Sequence, residues 1–407
     1  MSAAVRIKQD SPGRRVTGAL PRLGLVCDYL EEGWPSMDLF GDMLAGSFRA
    51  DHAGEIAVEQ LRPPLHARFS RLPMADGSPI LWNVDRLLNR LYDYPGWLRN
   101  RAVNFDLFHI VDHSYAQLAL ELPAARTITT CHDLDTFRCL LEPELEHRPR
   151  WFRAMTRRIL RGLSRSTHVI SPSVFTKTQL LQYGLFPDER VTVIPPGADP
   201  VFGAPFSAAS IEEANRIAGG AGPYLLHVGS TIRRKRIDVL LGVFASVRQR
   251  FPQLCLVRVG GAFTPEQSRL ADELGVAGMI RLASNVSKTT LAALYHQAAV
   301  LLQPSDAEGF GLPVIEAMAC GCPVLASDIP PLREAGGQAA EYCPVAGIEA
   351  WSAALRKLLE EREAQPVRWE NRRTDSQRHA SRFSWPENAS RTLAIYQQVL
   401  QHANGQA

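Results

Sequence analysis

Two carboxylates stand eight positions apart in the run Glu308-Gly309-Phe310-Gly311-Leu312-Pro313-Val314-Ile315-Glu316. The first sits in a glycine-rich turn, after Pro304-Ser305-Asp306-Ala307. The second falls on the helix that the turn opens. Glycines let the backbone approach a ligand closely and accept positive φ. Carboxylates accept hydrogen bonds from sugar hydroxyls, and the free amides of a helix start favour negative charge. Together they suit a ligand carrying both hydroxyls and negative charge, with Glu316 placed to grip a ribose diol. A turn cap at Glu308 and a surface arginine partner for Glu316 would explain an isolated pair. The flanking glycines, Pro313 and the strand ahead argue against that plainer use.

A cationic cluster, Arg233-Arg234-Lys235-Arg236, follows Gly229-Ser230-Thr231. It lies between a strand candidate and a helix, where positive charge and helix amides suit a pyrophosphate. The glycine-rich Lys-Ser/Thr pattern of a P-loop is absent. Helical periodicity keeps the four side chains from facing one point, and Arg234 with Lys235 is the expected gripping pair; a solvated charge run is the ordinary alternative. His132-Asp133 follows the strand candidate ending at Thr130, and His109, Asp112 and His113 lie at an earlier strand end. A histidine there can donate a hydrogen bond to substrate or titrate near neutrality. His132 is the leading candidate, ahead of His113 and His109, each of which is more often structural. No Gly-x-Ser-x-Gly elbow supports Ser-His-Asp hydrolysis. Cys320 and Cys322 have no second pair at zinc spacing and are expected to pack; no metal site is expected.

Short apolar runs alternating with helical segments must position these groups. Leu23–Cys27, Phe105–Val111, Thr127–Thr130, Ser166–Ile170 and Val191–Ile194 are strand candidates of a first half. Tyr224–Val228, Leu254–Val259, Met279–Leu282, Ala299–Gln303, Pro323–Ala326 and Ala340–Tyr342 repeat the pattern in a second. Helices are expected around Phe40–Leu44, over Leu81–Tyr92, from Ser173, over Arg236–Arg248, Glu266–Leu274 and Thr290–Gln297, and over 387–403. Trp369–Ser381 reads as an exposed connection. This is an α/β pattern of mainly parallel sheets covered on both faces, and the second half resembles a doubly wound nucleotide-binding domain. The division expected is a first domain over 1–195, a connector over 196–222 with a short helix at 208–217, a second domain over 223–382, and a C-terminal segment over 383–407.

The chain has 407 residues, with 45% hydrophobic and 21% charged residues and a net charge of +3, a soluble globular composition for two domains. No apolar run approaches the roughly 18 residues of a membrane span. The polar start, Met1–Arg15, is not followed by the apolar core of a secretion signal. Seven scattered cysteines favour free thiols in a reducing, cytoplasmic compartment. From His147 to Pro187 there is no acidic residue, while Arg148, Arg150, Arg153, Arg157, Arg158, Arg161, Arg165 and Lys177 fall in that stretch. Phe152, Met155, Ile159 and Leu163 make one apolar side of a helix there. The segment is either an ordinary surface helix or a positive face for anionic lipid or an anionic acceptor. Nucleic acid is not an expected partner, since no binding module appears.

These motifs together resemble the retaining GT-B glycosyltransferases of family 4. The resemblance rests on Glu308–Pro323, which looks like the family's E-x7-E element. Tyr224-Leu225-Leu226-His227-Val228-Gly229 with Arg234-Lys235, Pro195-Pro196-Gly197-Ala198-Asp199 and Phe383-Ser384-Trp385 support it. It implies two Rossmann-like domains facing a central cleft, with the last helix crossing back to the first domain. It implies transfer of a hexose, mannose or glucose favoured, from a nucleotide diphosphate sugar such as GDP-mannose or UDP-glucose, with retention. The acceptor would be a saccharide or lipid-linked saccharide in polysaccharide, oligosaccharide or glycolipid assembly, on the cytoplasmic side and with peripheral contact to anionic membrane as one setting. Carried over by position, Glu316 would bind the ribose, and Glu308 would lie beside the transferred sugar with Gly309, Phe310, Gly311 and Leu312. Lys235 and Arg234 would contact the diphosphate near Gly229, His132 would reach the donor sugar, and Gly33 would lie close to the phosphates. No metal or other cofactor is implied. The chain departs from the family at Ser230, where many members carry arginine, and in Glu31–Ser36, which lacks paired glycines. A phosphorylase on the same body and a non-catalytic nucleotide-sugar-binding or assembly protein are the alternatives. A dinucleotide oxidoreductase is disfavoured because the N-terminal Gly-x-Gly-x-x-Gly element is absent.

Overall fold

The computed structural model describes residues 20–71, 78–220 and 222–405. The polar start, Met1–Arg15, lies outside them. Two six-stranded parallel sheets carry the chain. The first is built from β1 (Arg22–Val26), β2 (Ala57–Leu61), β3 (Leu107–Ile110), β4 (Thr127–Thr130), β5 (His168–Ser171) and β6 (Val191–Val193) in the order β2-β1-β3-β4-β5-β6. The second comprises β7 (Tyr224–Val228), β8 (Cys255–Val259), β9 (Ile280–Ala283), β10 (Val300–Gln303), β11 (Val324–Ser327) and β12 (Glu341–Cys343) in the order β12-β11-β10-β7-β8-β9. All pairings within both sheets are parallel. The α/β class, with two doubly wound halves, is the one expected.

Strand composition explains why both faces are covered. On β7, Leu226 packs into one apolar cluster with Val314 and Ile315, while its neighbour Leu225 packs into another with Leu240 and Phe244. Successive strand residues point to opposite faces, so an uninterrupted apolar strand needs helices on both. Each sheet also reverses direction of growth once. In the first, the switch lies between β1 and β3; in the second, between β7 and β10. Crevices open at the carboxyl ends of strands at such points.

Two segments differ from expectation. Trp369–Ser381 is not a connection: Pro366–Ala380 is a helix that buries Trp369, Ser376 and Ala380. It packs on the Leu312–Ala319 helix. Its remaining surface is charged, and Arg372 pairs with Glu361 at 2.9 Å, so a narrow buried stripe is masked by polar composition. Arg236 does not begin a helix. Arg233–Lys235 is a 3-10 turn, Arg236 has φ 48°, and the helix runs Ile237–Arg248. The expectation also passed over β2 and the Ile348–Ala364 helix.

The basic segment forms one helix, Arg150–Arg165, with Ile159 and Leu163 buried. The final helix, Trp385–Gly405, places Trp385, Ala389, Leu393, Tyr396 and Val399 in the core of the first sheet beside Leu23, Phe40 and Ile128. Tyr396 and His109 share a hydrogen bond at 2.6 Å there, and Thr130 meets the other His109 nitrogen at 2.7 Å. That histidine is therefore a packing residue.

Gly162 lets the basic helix approach the His113–Glu121 segment; a Cβ there would overlap the Ala116 carbonyl. Replacing Gly162 with Ala is expected to destabilise the chain by about 1–3 kcal/mol through overpacking. The check is a lowered urea midpoint at unchanged slope; an unchanged midpoint would refute this close packing.

Candidate active site in the cleft

The switch point of the second sheet brings the two sequence motifs together. β7 leads into the Gly229–Lys235 turn, and its neighbour β10 leads into the Glu308 turn. Lys235 Nζ donates to Glu308 Oε1 at 2.6 Å, and both residues are about nine-tenths buried. Gln303, the last residue of β10, donates to the same oxygen at 2.7 Å. Arg234 donates to the Ala307 carbonyl at 3.2 Å and stands 3.8 Å from Glu308 Oε2. Arg233 is exposed, and Arg236 pairs with Asp238 at 2.7 Å, so neither joins this group. Burial pushes the Glu308 carboxyl up, but the Lys235 ammonium and Arg234 guanidinium outweigh it and hold it below the usual carboxylate range.

The backbone around this pair is built for close approach. Gly260 has φ 145°, and a Cβ on it would overlap the Gly229 carbonyl. Buried Arg258 donates to that carbonyl at 2.9 Å and also to the Gly261 carbonyl, tying the two loops together. Gly311 has φ 116° and caps the Leu312–Ala319 helix, whose first residue, Leu312, is half-buried. Phe310 is buried edge-on against Phe383 at 5.4 Å. Ser230 is exposed and makes none of the described hydrogen bonds.

Glu316 occupies a different electrostatic setting. It lies buried on that helix and accepts one hydrogen bond, from the Tyr295 hydroxyl at 2.9 Å. Burial pushes its carboxyl up to about 7, with the tyrosine bond pulling the other way. The connector residue Asp199 pairs with Lys288 at 2.7 Å nearby.

The first sheet contributes across the cleft. Arg234 reaches Asp135 at 3.3 Å and Asp133 at 3.7 Å. Asp133 stands 3.6 Å from His113, which lies 3.3 Å from buried Asp112. Acid and base thus alternate from Asp112 through His113, Asp133, Arg234 and Glu308 to Lys235. Gly309 lies directly on the His132 backbone; a Cβ there would overlap the His132 carbonyl. Glu334 of the second half accepts from the Val174 and Phe175 amides at 2.6 and 2.9 Å, capping a first-half helix. Between the halves is a cavity of about 220 Å³, lined in part by Asp133, Asp135, Tyr183, Arg234, Glu308 and Pro330.

His132 differs from the expectation in one respect. Its Nε2–H donates to the Val111 carbonyl at 2.8 Å, since a carbonyl can only accept. The neutral ring therefore presents Nδ1 as an acceptor, not a donor. Burial pushes its pKa down, which favours that neutral form. Gly33 has φ 66° and closes a 3-10 turn, and none of the described contacts joins it to the Lys235–Glu308 group. Cys320 and Cys322 are core residues. All seven cysteines are free. Among the described residues no group of three His, Cys, Asp or Glu is arranged to hold a metal, and no helix is long and apolar enough to cross a membrane.

Sequence reasoning passed over Gln303, Arg258, Tyr295 and Glu334 as site neighbours. A polar residue within an otherwise apolar strand, last in β10 at Gln303 and next to last in β8 at Arg258, is a signal for the first two. Nothing local marks the others.

The comparisons with known proteins agree with this geometry. Residues 212–375 match the model of the glycosyl transferases group 1, and residues 48–202 match that of Glycosyltransferase Family 4. An Anabaena protein, HepE, solved with UDP and glucose, superposes with a TM-score of 0.67 at 18% identity, covering 95% of this chain and all of that one. The chain belongs to the GT-B glycosyltransferases. Among similar sequences, a D-inositol 3-phosphate glycosyltransferase from Thermobispora bispora is 30% identical over 58% of this chain and 57% of its own length. An O-antigen chain mannosyltransferase B from Escherichia coli is 27% identical over 78% of this chain and 80% of its own. The match therefore spans little more than half the length of the first of these relatives.

Removing one member of the Lys235–Glu308 pair leaves the other buried charge without its nearest partner. Lys235→Met and Glu308→Gln are each expected to lower stability by about 3 kcal/mol, and the double variant by less than the sum. Chemical denaturation of the four proteins checks this; additive losses would show that the pair is not coupled.

Proposed function

We propose that the protein is a retaining hexosyltransferase that moves a sugar from a nucleotide diphosphate donor to an acceptor hydroxyl. The observation that carries this reading is the buried Lys235–Glu308 pair, with Arg234 beside it, at the switch point between β7 and β10. Lys235, Arg234 and the amides of the Gly309–Gly311 turn are the groups that would meet a departing diphosphate, a preorganised electrostatic role. Glu316 would take the ribose hydroxyls. Glu308, held ionised by its cations, would lie beside the sugar as an acceptor of hydroxyls and a fixed negative charge near developing positive charge at the anomeric carbon. His132 would accept a sugar hydroxyl at Nδ1.

In the reaction we favour, the bond from the anomeric carbon to the diphosphate breaks while the acceptor oxygen bonds on the same face. The acceptor proton passes to the leaving phosphate oxygen. Retention rests on the resemblance to family 4, and it requires no protein nucleophile. Closure of the two halves would keep water from the donor. The contacts of Gly309 on His132 and of Glu334 on the Val174–Gln182 helix support such closure. The name of the O-antigen chain mannosyltransferase supports mannose, and the UDP and glucose of the Anabaena structure support a uridine donor carrying glucose.

Incubation with UDP-glucose and GDP-mannose, each with saccharide and lipid-linked acceptors, should release the nucleoside diphosphate. Proton NMR of the product should show the donor's anomeric configuration preserved. Release without transfer would reduce the protein to a hydrolase, and an inverted product would overturn the mechanism.

The Arg150–Arg165 helix supports a membrane-side acceptor. Arg157, Arg158, Arg161 and Arg165 are exposed along it, and Trp151 at its start is 61% exposed. We propose peripheral contact with anionic lipid there. The protein should sediment with vesicles containing phosphatidylglycerol and not with pure phosphatidylcholine vesicles. Charge reversal at Arg157 and Arg161 should abolish this; sedimentation unaffected by lipid charge or by the reversals would refute it.

A further inference from the structure

Glu316 is held by a side chain that no part of the functional reading uses. Tyr295 lies wholly buried on the Lys288–Gln297 helix, its ring edge-on to Phe202 at 5.7 Å. Its hydroxyl donates to Glu316 Oε2 at 2.9 Å. Among the described residues Oε1 accepts no hydrogen bond, and it is not sealed from solvent. Of the other ionisable groups near this carboxyl, Asp199 and Lys288 satisfy each other at 2.7 Å, and burial keeps the Cys320 thiol protonated. One oxygen is therefore fixed and the other open.

We propose that Tyr295 is a positioning residue for the nucleotide, holding Glu316 in the orientation and charge state that accept both hydroxyls of a ribose. This rests on the reading of Glu316 as the ribose ligand. A diol offers two O–H donors, and only an ionised carboxylate can accept both while still accepting from tyrosine. Burial opposes that ionised form and pushes the Glu316 carboxyl up to about 7; the Tyr295 bond opposes the rise. The sign follows. Nucleotide binding favours ionised Glu316, so affinity due to the ribose rises with pH up to about 7 and levels off above it. Loss of the tyrosine hydroxyl moves that levelling to higher pH. Phenylalanine keeps the ring and its packing on Phe202, so Tyr295→Phe isolates the hydroxyl.

The test is calorimetric titration of the full chain with UDP, GDP and their 2′-deoxy forms at pH 7.0 and 8.5, using wild type, Tyr295→Phe and Glu316→Gln. Wild type should bind one ribonucleotide and prefer it over its 2′-deoxy form. Tyr295→Phe should bind it about tenfold more weakly at pH 7.0. That deficit relative to wild type should shrink at pH 8.5, together with recovery of the preference over the 2′-deoxy form. Glu316→Gln should show a deficit that does not shrink. A Tyr295→Phe affinity equal to wild type, or a deficit identical at both pH values, would overturn the proposal while leaving the donor reading intact. Wild type that binds a nucleotide without distinguishing ribose from 2′-deoxyribose would remove Glu316 from the ribose. Binding of neither UDP nor GDP would overturn the donor reading and this inference with it.

Discussion

The architecture turns on keeping charge inside a protein cleft before any ligand arrives. An isolated ion taken out of water costs several kcal/mol even after relaxation, so a buried cationic site needs built-in counter-charge. Glu308 supplies it to Lys235 at 2.6 Å, and Asp133 and Asp135 supply it to Arg234 from the other half of the molecule. These carboxylates have a second consequence. Under the proposed function, an arriving diphosphate would compete with them for the same cations, which are held in place without being committed to one partner. Arg234 has partners on both sides of the cleft, which makes its position depend on how the two halves sit.

The fold accounts for this convergence. Residues 234–235 and 308 are more than seventy positions apart, yet β7 and β10 are adjacent because the second sheet reverses its growth between them. Their carboxyl ends open toward the same crevice, and the turns that leave them must diverge to opposite faces. Glycine then sets how close the loops come. At Gly260 and Gly309 a single Cβ would overlap a neighbouring carbonyl. The second of these contacts crosses from one half to the other, so the spacing of the halves is fixed by backbone meeting backbone. Arg258 belongs to the same device. Among the described residues it has no carboxylate partner, burial pushes it down to about 10, and it still donates to the Gly229 and Gly261 carbonyls. Its role is to fix the loops.

What was legible in the sequence follows from what is local. The Glu308–Glu316 spacing, Gly311 before Pro313, and the alternation of apolar strands with helices all act over a few residues, and they located the turn, the helix and the fold class. Tyr295 was not legible because its partner lies 21 residues away on another helix, and in sequence it is one aromatic among core residues. Glu334 was not, because its partners are 159 and 160 residues away. The Pro366–Ala380 helix was lost for the opposite reason: its buried stripe is too narrow to stand out from its charges. At His132 the residue was placed correctly just past a strand end, but its tautomer depends on Val111, just past the end of the neighbouring strand β3, which no local pattern shows.

The two carboxylates that look alike in sequence are therefore unlike in chemistry. Both are buried, and burial alone would raise both. Glu308 has two cations and is held below the ordinary range; Glu316 has a neutral hydroxyl and rises to about 7. Pairs of titratable groups pushed apart by their surroundings separate fixed charges from groups that change state. Glu308 is on that ground a poor general acid, because its proton is already excluded by Lys235 and Arg234. It is also a poor nucleophile while Lys235 and Gln303 occupy Oε1. What remains for it is permanent negative charge at a defined place, the role that the proposed transfer would ask of it beside a sugar acquiring positive character. Glu316, in contrast, is pushed up to about 7 by burial, so under the proposed assignment the pH sensitivity of this site would lie with the ribose ligand and not with the residue beside the sugar.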